Sequence, residues 1–141
     1  MFTLHERLVA DSTQIGELPL CTLLLINDVN YPWLVLVPRL SEIREIYQLE
    51  TADRVQLLEE SCVLSEVMDA VFTPLKMNVA ALGNMVPQLH LHHIARFSDD
   101  PAWPNPVWGA VPAKAYDDDT QQKLIFSIIE GFNNTDLRLE T

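Results

Sequence analysis

Three of the four histidines in this chain, His90, His92 and His93, fall within four positions of the segment NMVPQLHLHHIARF, residues 84–97. An imidazole titrates near neutrality. Its neutral ring can attack an electrophile through one nitrogen while the other nitrogen holds a proton against an acceptor.

If the segment is extended, successive side chains point to opposite faces. Gln88, His90, His92 and Ile94 then share one side, and Leu89, Leu91, His93 and Ala95 the other. The leucines mark the second side as core. His90 and His92 would lie about 6.6 Å apart along the polar side, the two-residue rise of a strand.

Three readings of that pair stand open. Solvent-facing strand positions can simply be histidine. A His-x-His pair can hold zinc or iron, but needs at least a third ligand. His5 is remote in sequence, Cys21 and Cys62 sit in apolar or helical patterns, and no nearby carboxylate shares the face, so no metal is expected. The third reading is phosphoryl chemistry: one imidazole attacks phosphorus while a neighbour donates to a non-bridging oxygen as charge builds.

The rest of the chain must position these rings. Residues 3–10 (TLHERLVA) predict a short helix, with Asp11, Ser12 and Thr13 as a break. CTLLLI (21–26) and WLVLV (33–37), separated by the turn-forming NDVNYP, predict adjacent antiparallel strands, the second ended by Pro38. From Thr51, a candidate N-cap, a long helix runs to the residues before Pro74. Val55, Leu58, Cys62, Leu64, Met68 and Val71 form its apolar face, and Glu59, Glu60 and Glu66 its solvated side. NVAAL (78–82) and QLHLHHIA (88–95) predict two more strands around a GNMVP turn.

Trp103 and Trp108, with Pro101, Pro104, Pro106 and Pro112, are expected to pack an irregular loop over the sheet or a partner subunit. Residues 118–132 then predict a helix whose acidic start, Asp117 to Asp119, suits its dipole. Short connections favour hairpins over a parallel sheet, giving an α+β fold with helices against an antiparallel sheet.

Composition bounds the partners. At 141 residues the chain is expected to form one domain. A formal net charge of −11 argues against a nucleic-acid polymer. Small polyanions stay open as substrates, because a few local donors can outweigh a diffuse field that salt screens over about 10 Å. The N-terminus has no signal-peptide pattern, and no window approaches the roughly 18 consecutive apolar residues of a membrane span. The expectation is a cytoplasmic protein with two buried thiols and no membrane association.

GNMVPQLHLHHIAR resembles the signature of the histidine triad (HIT) family of nucleotide hydrolases and transferases. That strand reads His-φ-His-φ-His-φ-φ, commonly after Gly-Gln-Ser/Thr-Val-Pro. LLLINDVNYPWLVLVPR is similar to the family's paired N-terminal strands ending in Val-Pro, so most of residues 15–97 is covered. DDPAWPNPVWG resembles a bacterial branch labelled diadenosine polyphosphate hydrolase-like.

The resemblance implies a single HIT-like domain over 1–141, with a core of about 15–97 and a C-terminal loop and helix over 98–132. It implies action at the α-phosphate of a dinucleoside polyphosphate or related nucleotide, or else a nucleotide- or protein-binding module with little chemistry. His90 matches the residue that forms a nucleotidyl-histidine intermediate, and His92 a phosphate donor. Asn84 and Asn78 match polar positions near the phosphates, and Asn27 a ribose contact. Gln88 stands where the first triad histidine belongs, replacing a titrating ring by an amide that can only hydrogen-bond. Met85 replaces a hydroxyl residue.

His93 takes a normally apolar position and reads as a buried, hydrogen-bonded imidazole. Arg96 reads as an ion pair or a phosphate guide. Relatives pair through the long helix and the strand before the triad, so a homodimer is expected. No cofactor is required, though a divalent cation can accompany the polyphosphate.

Overall fold

The computed structural model describes residues 1–141. Its centre is a five-stranded antiparallel sheet in the order β1-β2-β3-β5-β4, built from β1 (Ser12–Glu17), β2 (Cys21–Ile26), β3 (Trp33–Pro38), β4 (Lys76–Ala80) and β5 (Leu91–Arg96). Three helices accompany it: α1 (Glu6–Asp11), α2 (Thr51–Phe72) and α3 (Asp118–Asn133). This is the α+β arrangement the sequence predicts.

The two central hairpin strands read as continuous apolar runs because both faces of the sheet are covered. Leu23, Leu25, Leu34 and Leu36 pack on one face with Leu57, Leu64 and Met68 of α2 and Ile128 and Phe132 of α3. Leu24, Val35 and Val37 pack on the other with Leu8 of α1 and Val86 of the β4–β5 loop. Register carries this alternation onto the histidines. Val35 pairs with His92 and Leu34 with His93, so His92 joins the α1 side and His93 the α2 side.

Five expectations need correction: the break at Ser12 and Thr13, the buried face of α2, the buried state of Cys62, the solvated place of Glu60 and the capping role of Thr51. The break expected at Ser12 and Thr13 is the start of β1, an edge strand that buries Ile15 and Gly16, exposes Gln14 and Glu17, and shifts register at Gln14/Gly16. Its free edge is met by the returning C-terminus, where Glu17 and Glu140 exchange backbone hydrogen bonds of 2.7 and 2.9 Å.

The buried face of α2 is Leu57, Glu60, Ser61, Leu64, Val67 and Met68, whereas Val55 and Leu58 are exposed and so is Cys62, which leaves Cys21 as the buried thiol. Glu60 is fully buried. Its carboxylate accepts the N–H groups of Leu20 and Cys21 at 2.8 and 2.9 Å, and the Gln56 amide at 2.8 Å, tying α2 to the start of β2. A buried carboxylate is tolerable because its oxygens are satisfied in this way.

Thr51 is the first helical residue of α2, and Glu50 occupies the cap position. At the far end Thr73 adopts the left-handed conformation (φ 47°) just before Pro74. The acidic helix start holds as read: Asp117 caps α3, accepting the Thr120 N–H at 2.7 Å.

Candidate functional site

The strand carrying the histidines is shorter than alternation suggests. β5 begins at Leu91, and Gln88 to His90 precede it. Side-chain alternation persists there because Leu89 is buried and its N–H donates to the Ile43 carbonyl at 2.9 Å, a bond outside the sheet ladder.

His90 Nδ1 lies 2.7 Å from the Gln88 carbonyl oxygen. A carbonyl can only accept, so the proton is on Nδ1 and the neutral ring carries its lone pair on Nε2. Nε2 makes no hydrogen bond within the protein. Burial pushes the His90 pKa down, which favours this neutral form. The ring lines a cleft of about 150 Å³ together with Gly83, Asn84, Arg44 and Gln88. A Cβ on Gly83 would stand 2.7 Å from the Val86 carbonyl oxygen and 3.5 Å from His90 Cε1, so glycine lets the loop lie close against the ring.

His92 stands edge-on to His90, with ring centroids 4.7 Å apart. Both of its nitrogens are committed. Nδ1 accepts the Trp33 indole N–H at 3.0 Å, so the proton is on Nε2, which donates to the Leu82 carbonyl at 3.1 Å. Burial takes its pKa down to about 4. The donor expected for a phosphate is thus held by a backbone carbonyl, and His92 meets the site through its ring contact with His90.

Gln88 differs in the same way from its expected place among the reacting groups. Its amide oxygen accepts the His5 N–H at 2.9 Å and its NH₂ donates to the Thr3 carbonyl at 2.9 Å, so the side chain clamps the N-terminal segment. What Gln88 supplies to His90 is its backbone carbonyl.

The three asparagines separate. Asn84 is exposed at the cleft beside His90. Asn78, on β4, gives its side-chain oxygen to Arg96 Nη1 at 2.8 Å, away from the cleft. Asn27, just past β2, accepts the Tyr116 N–H at 2.9 Å and so fastens the chain leading into α3.

His93 faces α2, its Nδ1 donating to Leu91 O at 3.0 Å and its Nε2 accepting from Ser61 Oγ at 2.7 Å, a buried neutral ring whose pKa burial lowers to about 4. Arg96 is equally enclosed. Its guanidinium meets Asp100 through two bonds of 2.8 and 3.1 Å and also donates to Asn78 and to the Asn105 carbonyl. The tryptophans pack their loop over the sheet. Trp103 lies against Arg96 at 5.5 Å, and Trp108 stands edge-on to Trp33 and His92 at 5.9 and 5.2 Å.

Two residues of this neighbourhood had no signal in the sequence: Trp33 and Arg44. Trp33 lay hidden in an apolar strand, and Arg44 in a polar loop with nothing to mark it. No group of three histidine, cysteine, aspartate or glutamate side chains is placed to hold a metal ion.

The HIT domain pattern matches residues 7–99. The chain belongs to the HIT domain family. This HIT protein is also similar to three solved histidine triad proteins. That of Marinobacter aquaeolei VT8 is 53% identical, with a TM-score of 0.92 over 94% of this chain and 97% of that one. That of Bradyrhizobium japonicum is 44% identical, with a TM-score of 0.91 over 92% and 97%. That of Sinorhizobium meliloti 1021 is 40% identical, with a TM-score of 0.91 over 93% and 97%. No curated protein matches the sequence. No helix of this HIT protein is long and apolar enough to cross a membrane.

Proposed function

We propose that this HIT protein is a nucleotide hydrolase or nucleotidyl transferase acting at the α-phosphate of a dinucleoside polyphosphate or related nucleotide. One observation carries the reading: His90 is fixed by the Gln88 carbonyl as a neutral ring whose unprotonated Nε2 has no protein partner beside a cleft. The Nε2 lone pair attacks the α-phosphorus, a P–N bond forms, and the bond from phosphorus to the leaving group breaks with its electron pair departing on that group. Water, or another acceptor hydroxyl, then attacks the phosphorus of the nucleotidyl-histidine. The P–N bond breaks, its electron pair returns to Nε2, and the nucleophile's proton passes to solvent. The Nδ1–H bond to Gln88 O strengthens as positive charge develops on the ring. Asn84, exposed at the cleft, is a polar side chain available to a phosphoryl oxygen.

A homodimer is part of this reading. β4 is an edge strand with Val79 exposed, and α2 presents Val55 and Leu58 to solvent, apolar surface that a second copy would cover. No cofactor is needed for the chemistry, and any divalent cation arrives with the polyphosphate.

A second reading has its own support. The amide of Gln88 and both nitrogens of His92 are spent on the protein, which suits a module that binds nucleotides without turning them over. Replacing His90 with Ala separates the two. The enzyme reading expects turnover of a panel of nucleotide substrates by the wild type, lost by a factor on the order of 10³ or more in the variant. Circular dichroism of the variant should be unchanged. Nucleotide binding without turnover in the wild type favours the module.

A further inference from the structure

The His90 cleft continues past Gln88. It shares Arg44, Glu45, Pro87 and Gln88 with a neighbouring cleft of about 820 Å³, whose walls add His5 and Tyr47. Two side chains on that wall carry donors the protein leaves unused.

Arg44 is bonded only through its backbone N–H, to Gln48 Oε1 at 2.8 Å, and its guanidinium has no partner. The other five arginines are all engaged: Arg7 with Asp11, Arg39 with Glu17, Arg54 with the Leu49 and Tyr47 carbonyls, Arg96 with Asp100 and Arg138 with Glu140. Arg44 is exposed, and its guanidinium, paired with no carboxylate, lines both clefts.

His5 is the second. Its Nδ1 accepts the Arg7 N–H at 3.0 Å, so the neutral ring carries its proton on Nε2. The same residue is fastened to the site by the bond from its N–H to Gln88 Oε1.

The loop bearing Arg44 is itself tied to the nucleophile. The carbonyl of Ile43, the residue before Arg44, accepts the N–H of Leu89, the residue before His90. Gln48 Oε1 also accepts the Glu45 N–H at 3.0 Å, and Glu42 is held in the left-handed region at φ 59°. The backbone around Arg44 is therefore specified.

Around His90 itself a proton source is missing. Gln88 does not titrate, and the proton of His92 is held by Leu82 O. An amine or alkoxide leaving group must take up a proton as it departs, whereas a phosphate departs as a stable anion and needs only cations or donors to receive it.

We infer that the outer cleft is a leaving-group site that selects leaving groups bearing phosphate, with Arg44 and the Nε2–H of His5 contacting phosphoryl oxygens beyond the scissile bond. This rests on the hydrolase or transferase reading above. When the bond from the α-phosphorus to the bridging oxygen breaks, the electron pair stays on that oxygen and the new phosphate charge is received at Arg44. Glu42 and Glu45 also line this cleft, so an anion is received at Arg44 and His5 and away from those carboxylates.

The test uses two substrates with the same nucleotidyl half, a dinucleoside polyphosphate and a nucleoside phosphoramidate with a small uncharged amine. Wild type, Arg44→Gln and His5→Asn, which keeps an acceptor for the Arg7 N–H, are compared by kcat/KM. Arg44→Gln should lower the polyphosphate-to-phosphoramidate ratio by about tenfold to a hundredfold, the worth of a hydrogen bond to a charged group. His5→Asn should lower it in the same direction by a smaller factor. An unchanged ratio in one variant overturns the role given to that residue, and in both it overturns the site. Absence of wild-type turnover on both substrates overturns the underlying hydrolase reading, and this inference with it.

Discussion

Two polar centres lie six residues apart on one stretch of chain, and they are built in opposite ways. At Arg96 every guanidinium nitrogen donates: the group is buried, faces Asp100 through two bonds, and meets Asn78 and the Asn105 carbonyl through two more. At His90 one nitrogen is pinned to Gln88 O and the other is left without a partner beside a cleft. The protein can afford the second arrangement because a neutral imidazole nitrogen at an opening loses little by being unpaired, whereas an unpaired buried guanidinium would be ruinous. Saturation marks the centre that holds the fold. The vacant lone pair marks the centre that can react.

That contrast predicts different failures. Loss of the His90 ring should remove turnover and leave the fold standing, as set out above. Arg96→Ala should do the reverse at first: Asp100, whose side chain is 3% exposed, would be left as an unpaired buried charge. The expected cost is about 3–5 kcal/mol of stability, read as a fall in the urea midpoint. Activity would follow only as the loop over His92 loosens. A variant that unfolds no more easily than wild type would show that the saturated Arg96 centre does not hold the fold.

Acid titration sharpens it further. His92 and His93 have pKa values lowered from 6.5 to about 4 by burial, so between those values the unfolded chain binds more protons than the folded one. Stability is therefore complete above about pH 6.5 and falls as pH drops toward 4, by on the order of 3 kcal/mol per ring at most. Asp100 loses stability in the same direction, but at lower pH and for a different reason. Burial alone would raise its pKa, but the Arg96 bonds and the N–H groups of Phe97, Ala102 and Trp103 hold it at about 2 against an ordinary 3.8. Its contribution is present above 3.8 and is lost only between 3.8 and 2. Denaturant midpoints measured from pH 7 to 3 should thus decline first through the histidines. A flat profile down to pH 4 would contradict the neutral, doubly bonded rings.

How much of this was legible in the sequence follows from which interactions are local. The alternation at 88–95 located the histidines and their faces, because side-chain direction is a property of a few neighbouring residues. It misplaced the start of β5, since Leu89 keeps the alternation through a bond to Ile43, 46 residues earlier in the chain. β1 was missed because an edge strand with solvent on one side needs few apolar residues. On α2 two apolar stripes exist, and the sequence cannot say which one the sheet takes. The helix buries the stripe through Leu57, Leu64 and Met68, and Glu60 goes inward with it because backbone donors at Leu20 and Cys21 await it. Asn78 and Asn27 carried the expected residue types, yet their side chains serve Arg96 and Tyr116, partners that only the assembled fold brings near. Arg44 and His5 are visible as candidates only once the loops that carry them are tied to Leu89 and Gln88.

The proposed chemistry places a nucleotidyl group on His90 Nε2. Incubating the wild-type protein with a slowly turned-over dinucleoside polyphosphate, quenching in base and mapping peptides by mass spectrometry tests it directly. A mononucleotide mass should appear on the peptide containing His90, attached through a phosphoramidate bond that acid removes and base preserves. Turnover with no adduct at any time point, or with the adduct on another residue, would contradict it.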